Sequence, residues 1–282
     1  MPVIVTLDTY SGVPNPTWEL TNEQAAQLRG LLQEDKVPTN LRAPAGVGRL
    51  GYRGFVISSV GELSFPKRAL VFDGVLDIGA SDQPNYIDKN SRIEEFLLGT
   101  SGLALRQEER NFVAAEIAKN VKGGVASTTT VIQPLAVPPY DPGKWNNDPN
   151  VMRNNNCYNY ANDKITNTFA QPGRGSGQVG PYPPDCGGTG AASQRDGQIP
   201  VSSASSTPAQ GHFIGLVIWP GRDYHWYRLD SNAMWSHKPG QTPARNTDNS
   251  GRPISDPRNC DRGPYTVWCS YYHCIPSQTR II

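Results

Sequence analysis

The chain has 282 residues, enough for one large domain or two ordinary ones with a real core. Its 26 basic and 25 acidic residues nearly cancel, no Lys/Arg run supplies the footprint of a nucleic-acid binder, and no apolar stretch approaches the roughly 20 residues of a membrane span. With 28 Gly, 25 Pro and 18% charged residues, the composition predicts short strands, many turns and few long helices.

The opening MPVIVTLD alternates like an edge strand over residues 3–7 and lacks the basic and apolar regions of a signal peptide. The turn-rich YSGVPNP then leads to Trp18 and a helix. Thr21 with Gln24 fits a capping box, and Ala25, Leu28, Leu31 and Leu32 form the apolar stripe. Strand-like runs follow at residues 52–58 and 68–72. Ser91 with Glu94 opens a second helix through Phe96, Leu97 and Leu98, and a third spans residues 107–120. No His, Cys or paired carboxylates gather here, so residues 1–125 read as a small α+β accessory or scaffold domain. Residues 126–150, with Pro134, Pro138, Pro139, Pro142 and Pro149, read as a stiff linker or surface arm.

Residues 151–282 carry the chemistry. In NNNCYNYANDK, residues 154–164, Asn156 is a competent N-cap, and Tyr158, Ala161, Ile165 and Phe169 recur at near-helical spacing. Cys157 then occupies the first turn, where unpaired amides and the helix dipole favour thiolate and can hold an oxyanion. Residues 171–206, rich in Gly, Pro and Ser, read as a long loop around a site. A strand follows from His212 to Trp219, a Pro-Gly turn, and an antiparallel partner from Asp223 to Asp230. Pairing Trp219 with Tyr224 sets His212 opposite Asp230 or Ser231, the arrangement that orients a catalytic base. His225, between aromatics, competes for the base role, because alternation alone does not fix its face. His237 falls in a predicted turn and could line a cleft.

Five cysteines suggest four plus one. If Cys186, Cys260, Cys269 and Cys274 pair, three connectivities exist and Cys157 is left as a free thiol; five reduced thiols is the other arrangement. Cys260, Cys269, His273 and Cys274 lack the usual zinc spacing, so disulfides are preferred there and no metal or other cofactor is expected. The cysteine count is compatible with an exported protein.

Cysteine at a helix start, histidine opening a strand 55 residues later within Gly211-His212-Phe213-Ile214, and a polar group on the next strand together resemble the papain-like superfamily. The likeness is to cell-wall endopeptidases and cysteine, histidine-dependent amidohydrolase/peptidases, over about residues 154–232. It implies a nucleophile helix packed on an antiparallel sheet, with Cys157 as nucleophile, His212 as base and Asp230 or Asn232 as orienting group. A peptide or peptidoglycan-like amide would be the substrate, with Asn156, Tyr158, Trp226 and His237 lining its cleft. The aromatic wealth of residues 224–236 and 265–272 supports a second class: a disulfide-stabilised glycan- or protein-binding or toxin-like protein without turnover.

Overall fold

Strict alternation builds the first sheet. In β1 (Val3–Leu7), Val3, Val5 and Leu7 turn inward while Ile4 and Thr6 are half-buried, the period-2 pattern of a strand with one core face. In the computed structural model the described residues are 2–34, 37–39, 49–59, 68–78, 85–120, 137–178, 183–205 and 208–282. They form a mixed α+β protein with two antiparallel sheets. The chain divides into a first unit, Met1–Thr9, Asn15–Ala45 and Tyr52–Val125, and a second, Tyr10–Pro14, Gly46–Gly51 and Ala126–Ile282.

In the first unit the sheet runs β2 (Thr17–Glu19), β1, β4 (Phe55–Ser59), β5 (Arg68–Phe72), β6 (Val75–Asp77), β7 (Asn85–Ile87) and β3 (Pro38–Thr39). Asp73 and Gly74, both at positive φ, make the two-residue hairpin between Phe72 and its partner Val75. Helix α1 (Asn22–Glu34) starts on the expected box: Thr21 N–H donates to Gln24 Oε1 at 2.9 Å and Gln24 N–H to Thr21 Oγ1 at 3.2 Å. Helix α2 (Arg92–Gly99) differs from expectation. Asp88, not Ser91, accepts its first amides, from Ile93 and Glu94, and Ser91 sits at φ 53° without a side-chain cap. Glu94 turns inward to accept from Tyr52 Oη at 2.5 Å. Helix α3 (Gln107–Asn120) adds Val113 and Ile117 to the core of Leu28, Phe55, Val71 and Leu97.

The second unit begins earlier than a linker to residue 150 would allow. Residues 126–136 lie outside the described residues, but residues 137–150 are folded. Helix α4 (Gly143–Asn146) buries Trp145 completely, edge-on to Tyr160 at 5.1 Å, and Asp148 caps α5 (Pro149–Asn154), with proline at its first position. Helix α6 (Cys157–Ala161) is one short segment. It stops at Asn162 and Asp163, the latter at φ 54°, so Ile165 is exposed and Phe169 lies in a loop instead of continuing a stripe. The expected loop at 171–206 contains α7 (Cys186–Arg195) and β8 (Ile199–Val201). Glycine hid this helix, and packing explains one of its glycines: a Cβ on Gly190 would lie 2.6 Å from Tyr272 Oη.

The second sheet runs β11 (Trp235–His237), β10 (Asp223–Leu229), β9 (His212–Trp219), β12 (Val267–Cys274) and β8. Trp219 pairs with Asp223, one residue from the expected register, because Pro220, Gly221 and Arg222 form a three-residue turn with Gly221 at φ 66°. His237 lies in a strand, not a turn. Central strand β9 is covered on both faces. Ile214, Leu216 and Ile218 pack with Tyr224, Trp226 and α6 on one side; Phe213 and Val217 pack with Tyr227, Trp235 and Tyr265 on the other.

A single disulfide, Cys186–Cys269, joins α7 to β12 across 83 residues, while Cys157, Cys260 and Cys274 are free. The four-plus-one pairing is therefore corrected: Cys260 lies 3.7 Å from Tyr227 Oη, and Cys274 is buried beside Asn162 and Gln198. Replacing Cys186 and Cys269 together with serine should lower stability by about 2–5 kcal/mol, read as a shifted denaturant midpoint. An unchanged midpoint would mean that the crosslink does not constrain the unfolded chain.

Candidate functional site

The asparagine run before α6 is a hydrogen-bonding frame. Asn156 Oδ1 accepts from Tyr158 N–H at 3.0 Å and Asn159 N–H at 3.1 Å, and Asn159 Oδ1 accepts from Asn156 N–H at 3.1 Å, closing a capping box. Asn156 Nδ2 donates to the carbonyls of Gly12 at 3.0 Å and Ala170 at 2.8 Å. Asn155 Oδ1 accepts the amides of Thr166 and Asn167, both at 3.0 Å. The amides of Tyr158 and Asn159 in the first turn of α6 are thus engaged by a side chain.

Cys157 is wholly buried. Its Sγ lies 4.0 Å from the Tyr224 carbonyl, packed among Tyr224, Trp226 and Ala161. Burial, and secondarily the Asp223 carboxylate, push the thiol well above its ordinary pKa, so it is a protonated packing group at neutral pH. The helix start does not overcome this desolvation.

His212 is fully buried at the other end of the same helix, where its Nε2–H donates to the Ala161 carbonyl at 2.6 Å. A carbonyl only accepts, so Nδ1 is the bare nitrogen; it is buried and makes no hydrogen bond. His212 pairs across the strand with Cys274, whereas Tyr224, against which Cys157 packs, pairs with Ile218. Cys157 and Ala161, which His212 meets, are the two ends of a helix that rises about 6 Å. No hydrogen bond joins Cys157 to His212.

The remaining site candidates are also placed elsewhere. Asp230 accepts from Arg228 Nε at 2.8 Å, within a group where Arg228 also donates to Asp163 and stacks 4.1 Å over the Tyr160 ring. Asn232 is exposed in the turn between β10 and β11, accepting from Met234 N–H. Alternation along β10 puts Tyr224 and Trp226 toward Cys157 and His225 on the opposite face, against Tyr227, His237 and Tyr265. His237 Nε2–H donates to the Thr247 carbonyl at 3.0 Å, so its Nδ1 accepts from His225 Nε2–H at 2.9 Å. None of the proposed cleft residues is exposed: Asn156, Tyr158, Trp226 and His237 are buried, and Tyr158 Oη donates to Asp196 at 3.0 Å.

Asp223, which was not among the sequence candidates, is densely hydrogen-bonded. Asp223 is fully buried and accepts from the amides of Ser11 at 2.6 Å, Gly12 at 3.1 Å and Val13 at 2.9 Å, and from Tyr265 Oη. Burial still lifts its carboxyl above the usual carboxylate range. Lys238, also buried, donates to the carbonyls of Met152, Asn155 and Gly240. Nothing local in sequence marks either role. Among the described residues, no group of three or more His, Cys, Asp or Glu side chains is placed to hold a metal ion, and no helix is long and apolar enough to cross a membrane.

Burial lowers the His212 pKa from the usual 6.5 to about 4. Neutral His212 therefore stabilises the fold fully above about pH 6.5, and this contribution is lost as pH falls through about 4. Wild type should lose up to about 3 kcal/mol more than His212→Gln across that window, measured by denaturant titration at each pH. Parallel pH profiles for the two proteins would contradict this placement.

No protein-family model matches the chain, and no solved structure matches it. Over 128 residues the chain is 53% identical to insoluble matrix shell protein 1 of Ruditapes philippinarum, a stretch that is 45% of this chain and 83% of that protein. With that identity over more than two thirds of the relative, the chain belongs to the family of this shell matrix protein.

Proposed function

We propose that the protein is a non-catalytic structural component of an insoluble matrix, and that its second unit is a disulfide-stapled module that keeps its shape within that assembly. The observation that carries this reading is the sealed Cys157. Its thiol is protonated and packed against the Tyr224 carbonyl, while the one histidine on its face spends its proton on Ala161. A nucleophile needs a base within about 3 Å and a route for substrate. Membership in the family of a protein named for an insoluble shell matrix agrees with a structural role.

The rival reading is a papain-like cysteine hydrolase acting on a peptide or cell-wall-like amide. In its favour stands Cys157 in the first turn of a helix that packs on an antiparallel sheet. It requires α6 to lift from β10 and a histidine to move to the sulfur. Alkylation separates the two. The structural reading expects three alkylatable thiols after denaturation without reductant. In the native protein, half-exposed Cys260, its thiol pushed up to about 11, reacts slowly, while Cys157 and Cys274 are protected. A native Cys157 that is alkylated faster than free cysteine at neutral pH would overturn it.

A further inference from the structure

Residues 10–14 form a tip held as a ligand is held. They are counted with the second unit, although the residues on either side, Met1–Thr9 and Asn15–Ala45, belong to the first. Three amides and a carbonyl at the centre of the tip are engaged. The amides of Ser11, Gly12 and Val13 converge on the Asp223 carboxylate. The Gly12 carbonyl accepts from Gln171 Nε2 at 2.8 Å, Asn156 Nδ2 at 3.0 Å and Tyr224 Oη at 3.3 Å. Ser11 Oγ lies 2.7 Å from Tyr265 Oη, and the Tyr10 ring meets Trp219 edge-on at 5.8 Å. The receptor also demands glycine at the centre, because a Cβ on Gly12 would come within 2.5 Å of the Tyr224 ring.

The base of the tip is closed by its own bonds, none of which uses the receptor. Leu7 N–H donates to the Pro16 carbonyl, Thr9 N–H to Asn15 Oδ1 and Asn15 Nδ2 to Asp8 Oδ1, each at 3.0 Å. Asp8 is in turn held by Arg53 at 2.7 Å. The tip is thus preorganised, and a preorganised segment binds with little further ordering cost. The receptor, once emptied, keeps Tyr265 Oη on Asp223 but loses the three tip amides, a loss that favours refilling.

From this pairing we propose that the receptor around Asp223 takes the Tyr10–Pro14 tip of a second copy of the chain in exchange for its own. The proposal rests on the structural reading above and names its partner. Bonds made between copies are the same as those made within one, so concentration decides which form dominates. A copy that gives its tip to one neighbour and accepts a tip from another makes a head-to-tail contact, which extends into open chains unless it closes.

Refolding wild-type chain from denaturant at high and low protein concentration, followed by light scattering on a sizing column, tests this directly. Dimers and larger species are expected at high concentration, and Gly12→Leu, whose tip no longer fits, should reduce them about tenfold or more. A mixture of Gly12→Leu, which keeps its receptor, with Asp223→Asn, which keeps its tip, should restore a one-to-one pair that neither variant forms alone. Should either variant fail to fold, a synthetic peptide of residues 8–16 added to refolding wild type must suppress the oligomers while a scrambled peptide does not. Monomer at every concentration, or oligomers indifferent to the peptide, overturns exchange. That outcome leaves Cys157 alkylation, and the structural reading it tests, untouched.

Discussion

The amide of Asn156 is the interaction on which the second unit depends. A five-residue helix has no independent stability, since nucleation costs more than so few bonds return. Asn156 and Asn159 supply what the helix lacks by bonding reciprocally at its N-terminus, and Asn156 Nδ2 ties the same point to the carbonyls of Gly12 and Ala170. All of these groups are buried, so each bond left unmade would cost the desolvation of its partners. The frame fixes α6 on β10 and so buries Cys157, the first residue of α6, against Tyr224 and Trp226.

That placement keeps the candidate groups apart. The cap satisfies the amides of Tyr158 and Asn159, which an oxyanion would otherwise use. The sheet presents His212 to the C-terminal end of the helix and turns His225 to the opposite face. Neither His212 on β9 nor His225 on β10 therefore forms a hydrogen-bonded pair with Cys157 of α6. The buried polar groups are spent on cohesion: Arg228 on Asp230 and Tyr160, Lys238 on three carbonyls, Asp223 on three amides and a phenol.

Signals that act within a few residues were legible in the sequence. The Thr21 box, the strand at Arg68–Phe72 and the helix at Gln107–Asn120 are local, and so is the cap at Asn156. What was not legible is non-local. Asp223 finds its donors at Ser11–Val13, more than 200 residues away, and cysteine spacing alone does not single out Cys186–Cys269 among the pairings. A resemblance based on residue order placed His212 beside Cys157. Order along a strand, however, does not say which end of a crossing helix it meets. The glycine-rich α7 escaped because propensity argues against it, while tight packing against Tyr272 and the disulfide hold it in place.

The central claim, that Cys157 serves packing and not turnover, is tested most directly by the stability of Cys157→Ala. A nucleophile held ready in an active site is a position where substitution leaves stability unchanged or raises it. A sulfur buried among Tyr224, Trp226 and Ala161 leaves a cavity when removed. The account predicts that the alanine protein unfolds at lower denaturant, by about 1–2 kcal/mol. A variant as stable as wild type, or more so, would contradict it.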